Sequence, residues 1–210
     1  MLLGVLAATS VGAQGVASRL SGRVPPAVAA LVERLADSAA GRGLPVEPLI
    51  EKAIEGGAKG VPDERVVTAV RATLGRLDEA ATAMHTAGLA RPDPEAIEAG
   101  AFALNAGLSA DAVAALARHS SARYGPAATL RVAGTLVALG VPAPETVRLV
   151  QQALDAGSAP GDLLDLPQQV EGAMARGASP ASAAEGLSRG AGHAPTGPHS
   201  PPGKGQAHKP

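Results

Sequence analysis

The chain has 210 residues, with 18 Lys or Arg against 19 Asp or Glu for a net charge of −1, and its 46% hydrophobic content includes no Trp, one Phe (Phe102) and one Tyr (Tyr124). That length fits one domain or two small ones, and the balanced charge and scarce aromatics argue against nucleic-acid binding, which draws on cations for phosphates and rings for base stacking. With no cysteine present, disulfides, thiol chemistry, iron–sulfur clusters and Cys-based zinc sites are excluded together.

Residues 1–15, MLLGVLAATSVGAQG, carry no charge. The apolar run over residues 2–11 has the length of a signal-peptide core and is too short to span a bilayer. Val11-Gly12-Ala13 before Gln14 offers a small-residue cleavage site, but no Lys or Arg precedes the run, and Arg19 and Arg23 follow it instead. The reading is a signal peptide over 1–15 and a linker over 16–26. The alternative is an apolar first helix packed on the core. No other stretch reaches the ~18 apolar residues of a membrane span, so no transmembrane segment is expected.

A helical domain is expected over 27–190. Its apolar residues are almost all Ala, Val and Leu, which predicts a thin core of closely approaching helices. Val28, Leu31, Val32 and Leu35 recur at i, i+3, i+4 and i+7 and are stopped by Gly41 and Gly43. Val46, Leu49, Ile50, Ala53 and Ile54 repeat the pattern up to Gly56 and Gly57, with Glu51, Glu55 and Lys59 spaced for i,i+4 pairing. Pro62-Asp63-Glu64 then opens the longest helix. Its apolar stripe, Val66, Val70, Leu74, Leu77, Ala81 and Met84, is narrow and suits one arm of a hairpin.

Asp93-Pro94-Glu95 supplies an N-cap, a first-turn proline and an acid for a helix through Leu104. Gly107-Leu108-Ser109 ends it and caps a helix carrying Val113 and Leu116. Gly125-Pro126 begins one with Leu130, Ala133 and Val137. Gly140-Val141-Pro142 introduces Val147, Val150 and Leu154. Leu163, Leu164 and Leu166 read as a short piece interrupted at Pro167, which is placed in the first turn of a further helix, capped by Asp165 and bearing Val170 and Met174. Ser179-Pro180 opens a last helix ending near Arg189. No stretch alternates with period two. The fold class is therefore all-α, roughly nine short helices paired in hairpins, forming an irregular bundle or a degenerate α-solenoid-like array. Residues 191–210 are rich in Gly, Pro and His, a composition that predicts a disordered tail.

A turn motif recurs at Gly43-Leu44-Pro45, Gly60-Val61-Pro62, Gly107-Leu108-Ser109, Gly140-Val141-Pro142 and Gly177-Ala178-Ser179, with Gly157 opening a looser copy. Each predicts a left-handed glycine closing one helix, an apolar residue folding back, and Pro or Ser starting the next. The glycines lie 17, 47, 33, 17 and 20 residues apart. A helix pair of ~35 residues is the scale of solenoid repeats.

The sequence carries no recognisable catalytic or metal-binding motif. His193, His199 and His208 lie in the tail at spacings that define no metal site. His85 and His119 fall near helix ends, where a cation suits the dipole, with no HExxH partner. Ser120 beside His119 lacks a GxSxG elbow. Gly56-Gly57-Ala58-Lys59-Gly60 lacks the order of a phosphate loop and reads as a helix end. Asp63-Glu64 and Asp78-Glu79 are adjacent, so they diverge on a helix. No catalytic, cofactor-binding or metal-ligating residue is assigned, and no cofactor is expected.

The run Glu51-Lys52-Ala53-Ile54-Glu55-Gly56-Gly57-Ala58-Lys59-Gly60-Val61-Pro62, followed by Glu64-Arg65-Val66-Val67, resembles a segment of small Ala/Arg-rich exported bacterial helical proteins that are uncharacterised. Gly177-Ala178-Ser179-Pro180-Ala181 fits the same pattern, which spans residues 27–190, and the missing basic leader departs from it. The resemblance implies export and no activity or site. The expected function is a non-enzymatic exported interaction or scaffold protein whose partner is a protein. The alternatives are a cytosolic helical adaptor or regulator with 1–15 as a structural helix, and an enzyme with a dispersed Glu/Arg site.

Overall fold

The computed structural model describes residues 11–120, 123–156 and 160–191, so residues 1–10 of the expected signal segment and the tail from 192 lie outside the described residues. Ten helices follow in order: α1 (Val11–Leu20), α2 (Pro26–Gly41), α3 (Glu47–Ala58), α4 (Asp63–Thr86), α5 (Pro94–Ala106), α6 (Ala110–His119), α7 (Pro126–Ala138), α8 (Ala143–Asp155), α9 (Pro160–Ala175) and α10 (Pro180–Ala191). No strand occurs among the described residues, and the fold is all-α.

Local chemistry accounts for the boundaries. Asp93 Oδ1 accepts the Ala96 N–H at 2.9 Å and Ser109 Oγ accepts that of Ala112 at 3.2 Å, each satisfying a first-turn donor. At the other ends the turn motif behaves as its residues predict. Gly140 has φ of 90°; its N–H donates to the Val137 carbonyl at 2.9 Å, and the Val141 N–H reaches Leu136 at 3.1 Å. These are the paired bonds of a Schellman helix end. Gly43, Gly60, Gly107 and Gly177 repeat the positive φ and the bond pair. So does Gly88, which the motif missed because Ala90 rather than Pro or Ser follows Leu89. Gly157 lies outside the described residues.

Two expectations change. Residues 16–26, read as a linker, contribute Val16, Leu20 and Val24 to the core, and α1 packs on α2 and α3. Val16 and Leu20 are four apart on one face of α1, and Val24 follows in the turn after it. Pro167 does not begin a helix: it lies inside α9, which runs unbroken from Pro160. Leu163, Leu166 and Val170 fall on one buried face at i, i+3 and i+7, and that burial offsets the bond the proline removes and its ring's crowding of the preceding turn. One consequence is that Leu164 faces outward, 57% exposed.

Each helix packs on the next and, with the single exception of α3 and α5, on the next but one, and no pair further apart in sequence makes a substantial contact among the described residues. Odd helices thus form one layer and even helices a second. Such neighbour-only packing is the organisation of a helical-hairpin array. The even helices begin at Pro26, Asp63, Ala110, Ala143 and Pro180, 37, 47, 33 and 37 residues apart. The outlying interval belongs to α4, 24 residues long and therefore about 36 Å. Its stripe is buried as expected at Val66, Val70, Leu77, Ala81 and Met84, and it packs against α2, α3, α5 and α6. Along it, α3 lies on the first half, where Gly56 approaches Val66, and α5 on the second half, where Gly100 approaches Ala80 and Met84. The two are offset along α4. They are the one pair of consecutive same-layer helices without a substantial contact.

Candidate functional site

The gap between α3 and α5 is a groove of ≈ 700 Å³ with α4 as its floor. Ala69, Ala72, Thr73, Arg76 and Leu77 line the bottom; Pro48, Glu51, Lys52 and Glu55 form one wall, and Glu98, Ala101, Phe102 and Asn105 the other. The periodicity of α5 explains the second wall. Ala96, Ile97, Ala99, Gly100, Ala103 and Leu104 are buried, which leaves Glu98, Phe102 and Asn105, at i, i+4 and i+7, on the face that α3 would cover if the layer were continuous. Phe102 is 42% exposed, and with Leu164 it is one of two exposed large hydrophobic side chains among the described residues. Its ring rests on Gly134 of α7, where an added Cβ would lie 2.6 Å from Cδ1. The missing side chain at Gly134 is what lets α5 and α7 approach so closely.

A second groove, ≈ 430 Å³, continues on the same layer, lined by Glu95, Ala128, Arg131, Thr135, Leu164 and Pro167 among others. Glu95 and Glu98 are neighbours on α5, so the two exposed hydrophobic residues bracket one acidic ridge.

The charges divide into committed and uncommitted groups. Lys52 and Lys59 both donate to Glu55, at 2.6 and 2.5 Å, and hold its carboxyl down at about 2. Arg76 pairs with Glu79 at 2.7 Å. Arg19 makes a two-bond contact with Glu47, which lowers the Glu47 pKa. Glu51, Glu95 and Glu98 have no ion-pair partner within 4.0 Å among the described residues. Partial burial pushes the Glu98 carboxyl up, and Glu51 across the groove, with Glu95 and Glu47, pushes the same way against the weaker pull of Arg131. Unpaired carboxylates facing each other in a partly dry groove raise the cost of ionisation in this way.

The other side chains considered for chemistry lie elsewhere. His85 donates its Nδ1–H to the Leu89 carbonyl at 3.0 Å, closing the end of α4. His119 reaches Asp155 through Nε2 at 2.7 Å, tying the end of α6 to that of α8. Ser120 Oγ donates back to Leu116 at 2.9 Å, which commits it to the helix end. Asp78 and Glu79 diverge as their adjacency predicts, Asp78 to Arg42 of the α2 end and Glu79 to Arg76 of its own helix. Gly56 to Gly60 is the end of α3, with Lys59 at its C-cap. His193, His199 and His208 lie outside the described residues. Among the described residues no three His, Asp or Glu are placed to hold a metal ion, and no helix is long and apolar enough to cross a membrane.

Sequence reasoning noted Phe102 only as the single phenylalanine. The missed signal is its register: it shares a stripe with Glu98 and Asn105, not with Ile97, Gly100 and Leu104, and a lone aromatic on a polar stripe marks an exposed one. Comparison of the chain with family models, with curated proteins and with solved structures gives no match.

Proposed function

We propose that this chain is a non-enzymatic interaction module that holds a segment of a partner protein on its odd-helix layer, in the groove between α3 and α5. The observation that carries this reading is Phe102, a large side chain held half in water on the backbone of Gly134 at the break in the layer. Aromatic residues in partly preformed clefts are what partner segments use as anchors. Helical-hairpin arrays present extended layer surfaces to partners in this manner. The groove holds no histidine, and its one hydroxyl, Thr73 Oγ1, donates to the Ala69 carbonyl at 3.1 Å.

Photo-crosslinking in the native host tests it. A benzoylphenylalanine at position 102 should trap a discrete partner, while the same group at Arg148, exposed on α8, should not. Equal labelling at both positions sinks the reading. A second reading, an acid–base enzyme, draws on Glu98 facing Glu51; its signature would be a turnover abolished by Glu98→Gln and untouched by Phe102→Ala.

The reading includes export, supported by the uncharged apolar run over residues 2–11. Cleavage after Ala13 or Gly15 would leave Val16, Leu20 and Val24 in the core. N-terminal sequencing of the protein from its own host decides the matter, and an intact Met1 in soluble cytosol refutes export.

A further inference from the structure

We infer that the partner segment is cationic and apolar together: one short stretch of chain that sets an aliphatic or aromatic side chain on Phe102 and a Lys or Arg between Glu51 and Glu98. The inference rests on the groove reading above and adds the chemistry of its occupant.

Charge complementarity selects the occupant. Every basic side chain lining the α3–α5 groove is already committed: Lys52 to Glu55 and Arg76 to Glu79. Glu51 and Glu98 on its two walls are not, and neither is Glu95 of the adjoining groove: none has an ion-pair partner within 4.0 Å among the described residues. Arg131 of α7, without an acid within 4.0 Å among the described residues, lines the second groove with Glu95 rather than the α3–α5 groove. A partner entering the α3–α5 groove therefore meets carboxylates with spare acceptor capacity and an aromatic ring, but no cation free to pair. An acidic segment would be repelled, and a neutral one would leave Glu51 facing Glu98. A cation placed there relieves that repulsion, which after partial burial is the next cause that raises the Glu98 carboxyl in the free protein. Electrostatic matching of this kind sets which partners are accepted more than how tightly they bind. The ridge leads on to Leu164, so a segment long enough to pass Glu95 gains a second apolar contact.

The test uses the full chain and a displayed library of random 12-residue peptides, with the recovered peptides then synthesised for titration. Enriched sequences should place Lys or Arg within a few positions of a large apolar residue. Binding should weaken roughly three- to tenfold on Glu51→Gln or Glu98→Gln and roughly tenfold or more on Phe102→Ala. Added salt should weaken it further in the wild type but little in a protein carrying both Gln substitutions. Enriched peptides that are neutral or acidic, or affinities indifferent to both Gln variants, overturn the inference while leaving the groove reading intact. Peptides whose binding ignores Phe102→Ala, or a library that enriches nothing, overturn the groove reading itself. Self-association of the chain that Phe102→Ala abolishes identifies a second copy as the occupant and also overturns the inference.

Discussion

Replacing Gly134 with Ala tests the crossing on which the candidate site rests. The added Cβ would lie 2.6 and 2.7 Å from two ring carbons of Phe102 and 3.1 Å from Ala103 Cα. The ring is partly exposed and can swing toward the groove, but Ala103 Cα is backbone, so α5 and α7 must separate by a few tenths of an ångström along the crossing. Overpacking of this kind costs about 1–3 kcal/mol. Against it stands the helix preference for Ala over Gly, worth about 1 kcal/mol. The net expectation is a loss of about 1 kcal/mol. Gly75 is the internal control: it is exposed inside α4, and a Cβ there meets nothing within 4 Å. Gly75→Ala should therefore show the propensity gain alone, about 1 kcal/mol of added stability. For a chain of this size the two variants should melt roughly 4–8 °C apart, on either side of the wild type. Calorimetry with paired urea titrations measures both. If Gly134→Ala melts as high as Gly75→Ala, α5 and α7 do not approach as closely as described, and Phe102 is not held by that contact.

Gly140→Val should lower stability by about 1 kcal/mol or more, because a β-branched side chain resists a φ of 90°; an unchanged melting temperature would refute the left-handed turn. Asp93→Ala removes the side-chain acceptor of the Ala96 N–H and should cost about 1 kcal/mol, whereas Asp93→Asn, which keeps an acceptor oxygen, should recover most of it. Glu55 and Glu98 should respond to acid in opposite directions. The Glu55 carboxyl is lowered from 4.5 to about 2 by its two lysines, so its contribution is present above its ordinary range and is lost as pH falls through about 2; Glu55→Gln should melt below wild type at pH 7 and converge with it near pH 2, and parallel profiles would contradict the double lysine contact. Glu98 is raised, so its ionised form weighs against the fold at neutral pH and protonation removes that cost; Glu98→Gln should melt no lower than wild type at pH 7, and a clear loss would contradict its unpaired state.

What the sequence made legible was local. The helices, the Schellman glycines at Gly43, Gly60, Gly107, Gly140 and Gly177, and the caps at Asp93 and Ser109 follow from chemistry within a few residues, and they appear where that chemistry puts them. Pro167 was misread because its local effect, ending a helix, was outweighed by the burial of Leu163, Leu166 and Val170. Residues 16–26 read as a linker because Gly22 and Pro25-Pro26 mark a break, whereas Val16, Leu20 and Val24 are buried against the following helices. The interval of 47 between Gly60 and Gly107 was visible, but its meaning was not: only packing shows that a long α4 carries α3 and α5 on different halves and leaves the groove between them. Pairs such as Arg42–Asp78 and His119–Asp155, each 36 residues apart, are likewise beyond local reasoning, because they join helices that meet only once the hairpins stack.

The missing α3–α5 contact has a mechanical meaning. Under tension from its two ends, an array whose helices lean only on near neighbours behaves as links in series, each stiffened by ties within both layers. At α4 one of those ties is absent, and the load passes along a single rod with support on one layer only. Rotation of the block from α1 to α3 against the block from α5 onward is therefore resisted by the packing of each on α4 and by the even layer, with no α3–α5 tie across it. That joint is the one place among the described residues where the odd layer is not tied across. A segment wedged between α3 and α5 would act as a splint across it, so a bound partner changes how the whole chain transmits force as well as what its surface displays.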